Sequence, residues 1–145
     1  MGNYSWVVYA LLGALAAAVI APLGKKGTEG LDSSVVTAVR SVFQALVVLI
    51  VVTVMGLWGN LKHFQPRSFG YAAVAGLAGG VSWLFMFKAL ASRGGEVSKV
   101  APIDKLSMPL SIVLAVLVLG ERPSGINWAG VGLMAVGAYL VAHKG

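Results

Sequence analysis

No cysteine occurs anywhere in the chain. That excludes disulfides, thiolate metal sites and cysteine nucleophiles. Histidine is nearly as scarce: His63 and His143 stand far apart, without metal-ligand spacing, so no metal centre is expected. There are only five acidic residues, and Asp104 is the only one of them set deep in an apolar stretch. No serine sits in a nucleophile motif. No glycine-rich stretch follows a strand; "GLAGG", residues 76–80, reads as helix packing rather than a phosphate loop. Neither a cofactor nor enzyme chemistry is expected.

What the chain has in excess is apolar surface. Its hydrophobic fraction is 58% over 145 residues, and its mean hydropathy is +0.86. One core of that size cannot hide so much apolar surface from water, so the natural solvent is lipid. The net charge of +6 would suggest nucleic acid in a soluble protein. Here the basic residues lie mostly in short connections between apolar runs, the pattern by which membrane proteins set orientation, so no nucleic-acid partner is expected.

Five runs reach the roughly 20 residues needed to cross a bilayer. They lie near 4–23, 34–57, 69–91, 97–119 and 126–142. They are continuously apolar rather than alternating, which argues against a barrel. The links between them are short and rich in Gly, Pro, Asn and Ser, so successive helices run antiparallel. The predicted fold class is an all-α membrane protein of five transmembrane helices, forming a single domain over 1–145. The first run lacks a basic leader segment, which argues against a cleaved signal peptide. Trp6, Trp58 and Trp128 fall on the side of the N-terminus and read as an aromatic belt; Trp83 lies well inside the third run. Loop charges favour an outside N-terminus and an inside C-terminus: Lys62, Arg67 and Arg122 on one side, against Lys25, Lys26, Arg93, Lys99 and Lys144 on the other. Small residues at four-residue spacing, Ala72, Gly76 and Gly80 in the third run and Gly13, Ala17 and Ala21 in the first, predict close helix packing within the chain or between copies.

Four charges stand inside apolar runs: Arg40, Lys88, Asp104 and Lys105. At 1.5 Å per residue they lie roughly 5–10 Å below the same membrane face. They therefore predict one polar layer. Thr37, Arg40 and Gln44 share a helix face, as do Asp104, Ser107 and Ser111. On a regular helix Lys105 points about 100° from Asp104, so Asp104 is expected to look elsewhere for a partner, to Arg40 or Lys88. An intramembrane ionisable group is by default a ligand, ion or proton site. The expected solute site comprises Arg40, Gln44, Trp83, Lys88, Asp104, Lys105, Ser107 and Ser111, with Asp104 able to carry a proton. Three bases against one acid favour an anionic or zwitterionic small solute. The bland alternatives are lysines that snorkel to the headgroups and an Arg40–Asp104 pair that serves structure alone. Pro102 fits the first turn of the fourth helix, while Pro109 lies deeper and should break it. Interrupted helices of this kind occur near binding sites in transporters.

Two stretches carry a family resemblance. "KVAPIDKLSMPLSIVLAVLVLGERPSGINWAGVGLMAVGAYLVA", residues 99–142, resembles the C-terminal part of an EamA domain of the drug/metabolite transporter superfamily. "GGVSWLFMFKAL", residues 79–90, resembles that family's third span. The chain looks most like the small five-span members, which carry one such domain where typical relatives carry two. The resemblance implies a half-transporter bundle. In ten-span relatives two five-helix halves of inverted topology hold the substrate between them, so a lone half implies a homodimer, most simply antiparallel. The orientation bias of the loop charges runs against that arrangement. Four-span multidrug relatives carry a membrane glutamate in their first helix; the first run here has no acid, which leaves Asp104 for any proton coupling. The expected function is a secondary transporter that exports small metabolites by alternating access from a prokaryotic inner membrane. The alternative is a non-transporting accessory subunit whose intramembrane charges are structural ion pairs.

Overall fold

A computed structural model of the chain describes residues 4–143, so Lys144 of the orientation argument lies outside the described residues. Among these the regular structure is helical throughout. In chain order the elements are α1 (Ser5–Ala18), α2 (Ile20–Gly27), α3 (Ser33–Val54), a 3₁₀ helix (Leu57–His63), α4 (Pro66–Ala91), α5 (Val97–Asp104), α6 (Ser107–Leu114), a π-helical turn (Ala115–Leu119) and α7 (Gly125–His143). They make five spans long and apolar enough to cross a membrane: Ser5–Gly27, Ser33–Val54, Pro66–Ala91, Val97–Leu119 and Gly125–His143.

The boundaries follow local chemistry. Asp32 caps α3 by accepting the Ser34 backbone N–H at 2.7 Å. That bond is the main reason its carboxyl is held below the usual carboxylate range. Gly56, at φ +65°, ends the second span as a left-handed cap. The expected loop that follows is partly a 3₁₀ helix, fixed where Trp58 Nε1–H donates to Thr53 Oγ1 at 3.1 Å. Pro66 occupies the first position of α4, where a missing N–H leaves nothing unsatisfied. The first span reaches Gly27 rather than Leu23, so Lys25 and Lys26 form the last turn of α2 instead of a loop. Basic residues there suit the negative end of the helix dipole.

The fourth span departs most from expectation. It is not one helix but three segments. Pro102 is interior to α5, and Pro109 sits in the first turn of α6, which reverses the expected positions of the two prolines. The cause is hydrogen bonding. Pro109 has no N–H for the Lys105 carbonyl, which accepts from Met108 N at 3.0 Å instead, while Leu106 N turns back to Ile103 O at 3.0 Å. The chain tightens into i→i+3 bonding between the prolines. The first span is also interrupted, at Val19, shortly before Pro22.

The chain divides into two compact units. One joins the segment ending at Leu23 to the segment beginning at Ser92; α5 and α6 pack there against α7. The other, Gly24–Ala91, is built on the α3–α4 pair and the 3₁₀ helix. In this second unit Phe87 and Leu90 are fully buried, and the Phe87 ring lies on the bare backbone of Gly24, where a Cβ would run into it. Lys25 Nζ donates to the Leu90 carbonyl, one of the acceptors left open at the end of α4. Elsewhere large apolar side chains face outward, as expected where the surrounding medium is hydrocarbon.

Two outcomes follow. Gly24→Ala should destabilise the protein by about 1–3 kcal/mol through overpacking against Phe87, measured as a lowered Tm in detergent. The contribution of the Asp32 cap should be complete above the ordinary carboxylate pKa of about 3.9 and be lost as pH falls through the lower folded value. An Asp32→Ala variant should lack that part of the acid-side fall in Tm.

Candidate functional site

The polar stripe of α3 meets α4 in the second unit. Thr37 is buried and its hydroxyl donates back to Ser33 O at 2.8 Å. Ser41 donates to Thr37 O at 2.8 Å. Arg40 stands between them, about two turns into the span, roughly 10 Å along the helix axis. Its guanidinium carbon lies 3.8 Å from the centroid of the Trp83 ring and 5.8 Å from that of Phe87. Trp83 and Phe87 are themselves 5.7 Å apart, tilted by 34°. Away from water, a cation over an indole is stabilised by about 2 kcal/mol. The stack does not satisfy the N–H donors: Arg40 Nε is sealed from solvent and has no acceptor.

A groove of about 450 Å³ runs along this stripe. Arg40, Ser41 and Gln44 line it from α3, and Gly76, Gly79, Gly80 and Trp83 from α4. Arg40 is level with Trp83, and the short link between the two spans runs α3 and α4 antiparallel. Within the chain, the glycines do not make the close packing that was one of the two expectations for them. A Cβ at Gly76, Gly79 or Gly80 would meet nothing within 4 Å, so the row does not close the α3–α4 seam. It keeps the groove wide. Ser41 and Gly79 were missed as lining residues. The Ser41 signal was its place beside Arg40 and Gln44 on one face, and the Gly79 signal was a doubled glycine opposite a polar stripe.

The structure therefore brings together Arg40, Gln44 and Trp83. Lys88 belongs to the same unit but is exposed on α4; its charge reaches Asp32 and is the weakest of the influences that lower that carboxyl. Asp104, Lys105, Ser107 and Ser111 belong to the other unit. Asp104 there corrects a further expectation: it pairs with its sequence neighbour, Lys105 Nζ lying 3.4 Å from Asp104 Oδ2. The tightened turn at Lys105–Leu106 makes that possible, since the 100° separation holds only on a regular helix. Ser111 donates to Met108 O at 2.8 Å, so its hydroxyl proton serves its own helix. Lys105 and Pro102 also border a smaller groove of about 240 Å³ against Met134, Gly137 and Ala138 of α7. Among the described residues no group of His, Asp and Glu could hold a metal ion.

Five spans, an apolar exterior, an interrupted helix and a cation held inside the span describe an integral membrane protein of the transporter kind. The chain belongs to the EamA-like transporter family, whose profile matches residues 4–143. It is similar to a protein of Sinorhizobium sp named "Uncharacterized transporter in cobO 3'region", 38% identical over 140 residues, which cover 97% of this chain and 98% of that one. No solved structure matches. Family and relative support a transporter role and point away from catalysis. The membrane spans imply contact with the lipid bilayer, and the transporter role implies a small-molecule solute.

Glycines inside a helix cost roughly 0.5–1 kcal/mol each relative to alanine. Gly76→Ala should therefore leave the Tm in detergent unchanged or raised while it narrows the groove. Transport should fall in the same variant, a combination that a packing role for Gly76 would not give.

Proposed function

We propose that the protein is a secondary transporter that exports a small anionic or zwitterionic metabolite by alternating access, acting as a homodimer in a prokaryotic inner membrane. The observation that carries this proposal is the α3–α4 groove, where Arg40 is held by Trp83 and left with an unsatisfied Nε–H. A half-buried cation whose Nε–H is shut off from solvent and has no acceptor in its own unit is costly unless something else supplies the negative charge. A solute that comes and goes supplies it in one state and not in another, which is what a transport site needs. Gln44 adds neutral donors and an acceptor to the same groove.

Asp104 is proposed as the proton carrier. Its carboxylate is paired with Lys105 beside irregular backbone, and neutralisation would release that pair. Lys88 on α4, and Lys105, Ser107 and Ser111 in the other unit, are proposed as separate solute contacts outside the groove. The break between Pro102 and Pro109 is the kind of helix interruption from which transporters build their sites. A second copy, inserted antiparallel, would supply the missing half. The accessory-subunit alternative draws only on the Asp104–Lys105 pair, and a pair between sequence neighbours clamps no two helices together.

In proteoliposomes, Arg40→Ala should lower solute flux about 10–100-fold, the effect of losing one charge-assisted hydrogen bond, while the protein stays monodisperse. Asp104→Asn should lose flux driven by a pH gradient and keep solute counterflow. Normal transport by both variants would show the site to be wrongly assigned.

A further inference from the structure

The groove carries an inference about solute class that rests on the function proposed above. Its only charged lining residue is Arg40; the rest are neutral polar, small or apolar, and none is acidic. A zwitterion bound there would place its ammonium without a carboxylate, and a dicarboxylate would place its second anion without a cation. The opposite wall is bare glycine backbone at Gly76, Gly79 and Gly80, with open space where side chains would stand. It suits a compact apolar body and offers no side-chain polar group to another substituent. Its volume of about 450 Å³ is at the lower end of the range for small-molecule sites.

Access to the cation adds a second element. Trp83 covers the guanidinium at 3.8 Å, and Nε is shut off from solvent. The ring lies against one face of the guanidinium while the N–H donors lie in its plane, so an acceptor that pairs with them changes the surroundings of the ring. A carboxylate is planar and can take Nε–H and a neighbouring N–H together as a fork.

We propose that the site selects small monocarboxylates with an apolar body, and that their binding to Arg40 changes the surroundings of the Trp83 ring stacked on it. An ammonium group on the solute is a penalty, not a recognition element.

The test uses the full chain in nanodiscs of phosphatidylethanolamine and phosphatidylglycerol, with Trp6, Trp58 and Trp128 replaced by Phe, so that Trp83 alone emits. The probes are built on one isobutyl framework: isovalerate, valine, isobutylamine and methylsuccinate. Isovalerate should give a saturable change in Trp83 emission. Valine and methylsuccinate should bind at least tenfold more weakly, and isobutylamine should give no response. Arg40→Gln should abolish the isovalerate response, and Arg40→Lys should retain a weakened one. Gly80→Val, which fills the groove without touching the cation, should abolish it too and decides the matter if Arg40→Gln does not fold. Valine binding as well as isovalerate, or any response to isobutylamine, would overturn the monocarboxylate assignment and leave the groove as the solute site. An isovalerate response unchanged in Arg40→Gln and Gly80→Val, or no response to any probe, would overturn the site as well.

Discussion

In hydrocarbon a backbone N–H or C=O has no water to turn to, and each one left open costs several kcal/mol. Much of the local detail in this chain follows from that constraint. It makes the spans helical, and it shapes what happens where a helix fails. At Pro109 the Lys105 carbonyl loses its usual donor and is taken by Met108 N, so the chain turns tighter without leaving a group open. At the end of α4 the Leu90 carbonyl is met by the amine of Lys25 from the last turn of α2. Thr53 donates to the Leu49 carbonyl and accepts from Trp58, tying the 3₁₀ helix to the end of α3. Polar side chains near the helix ends are largely engaged in such work.

Against that background the groove residues stand out by what they do not do. Ser41 and Thr37 donate to backbone, but Arg40 has only ring faces for company in its unit. A cation–π contact lowers the cost of an ion in a low dielectric without using the donors. Asp104 and Lys105 show the other solution, an ion pair. That pair is between neighbours and half open, with 24% and 53% of the side chains exposed respectively. It is therefore easily remade.

The five spans and the fold class were legible because apolar run length is a strong signal and the links are short. The gathering of Arg40, Gln44 and Trp83 was half legible. The helical repeat put Arg40 and Gln44 on one face, but nothing in one sequence said which α4 residue would lie level with them. The glycine row was read as a packing seam, within the chain or between copies, because small residues permit close approach; the open space at Gly76, Gly79 and Gly80 shows that within the chain the approach is not made. Conversely Gly24, where backbone and ring do meet, sits in a stretch that looked like a loop. Asp104 was misjudged because the 100° rule assumes a regular helix, and the prolines that break it were assigned to the wrong turns.

The swapped prolines bear on mechanism. A proline in the first turn of a helix spares the bonds of that helix but takes the donor from the carbonyl four residues back, as Pro109 does at Lys105, whereas an interior one leaves an acceptor of its own helix without its donor. Had Pro109 been interior, the weak point would lie deep in α6. Instead Pro102 is the interior one, and the tightened turn follows it at Lys105–Leu106, directly after the only acid set within a span. A change in the charge of Asp104 therefore acts on a segment whose backbone is already the least regular in its span. In a rigid helix the loss of one ion pair would be absorbed by side-chain rotation. Next to a joint, the same loss can alter the bend between α5 and α6, and both of these segments pack on α7.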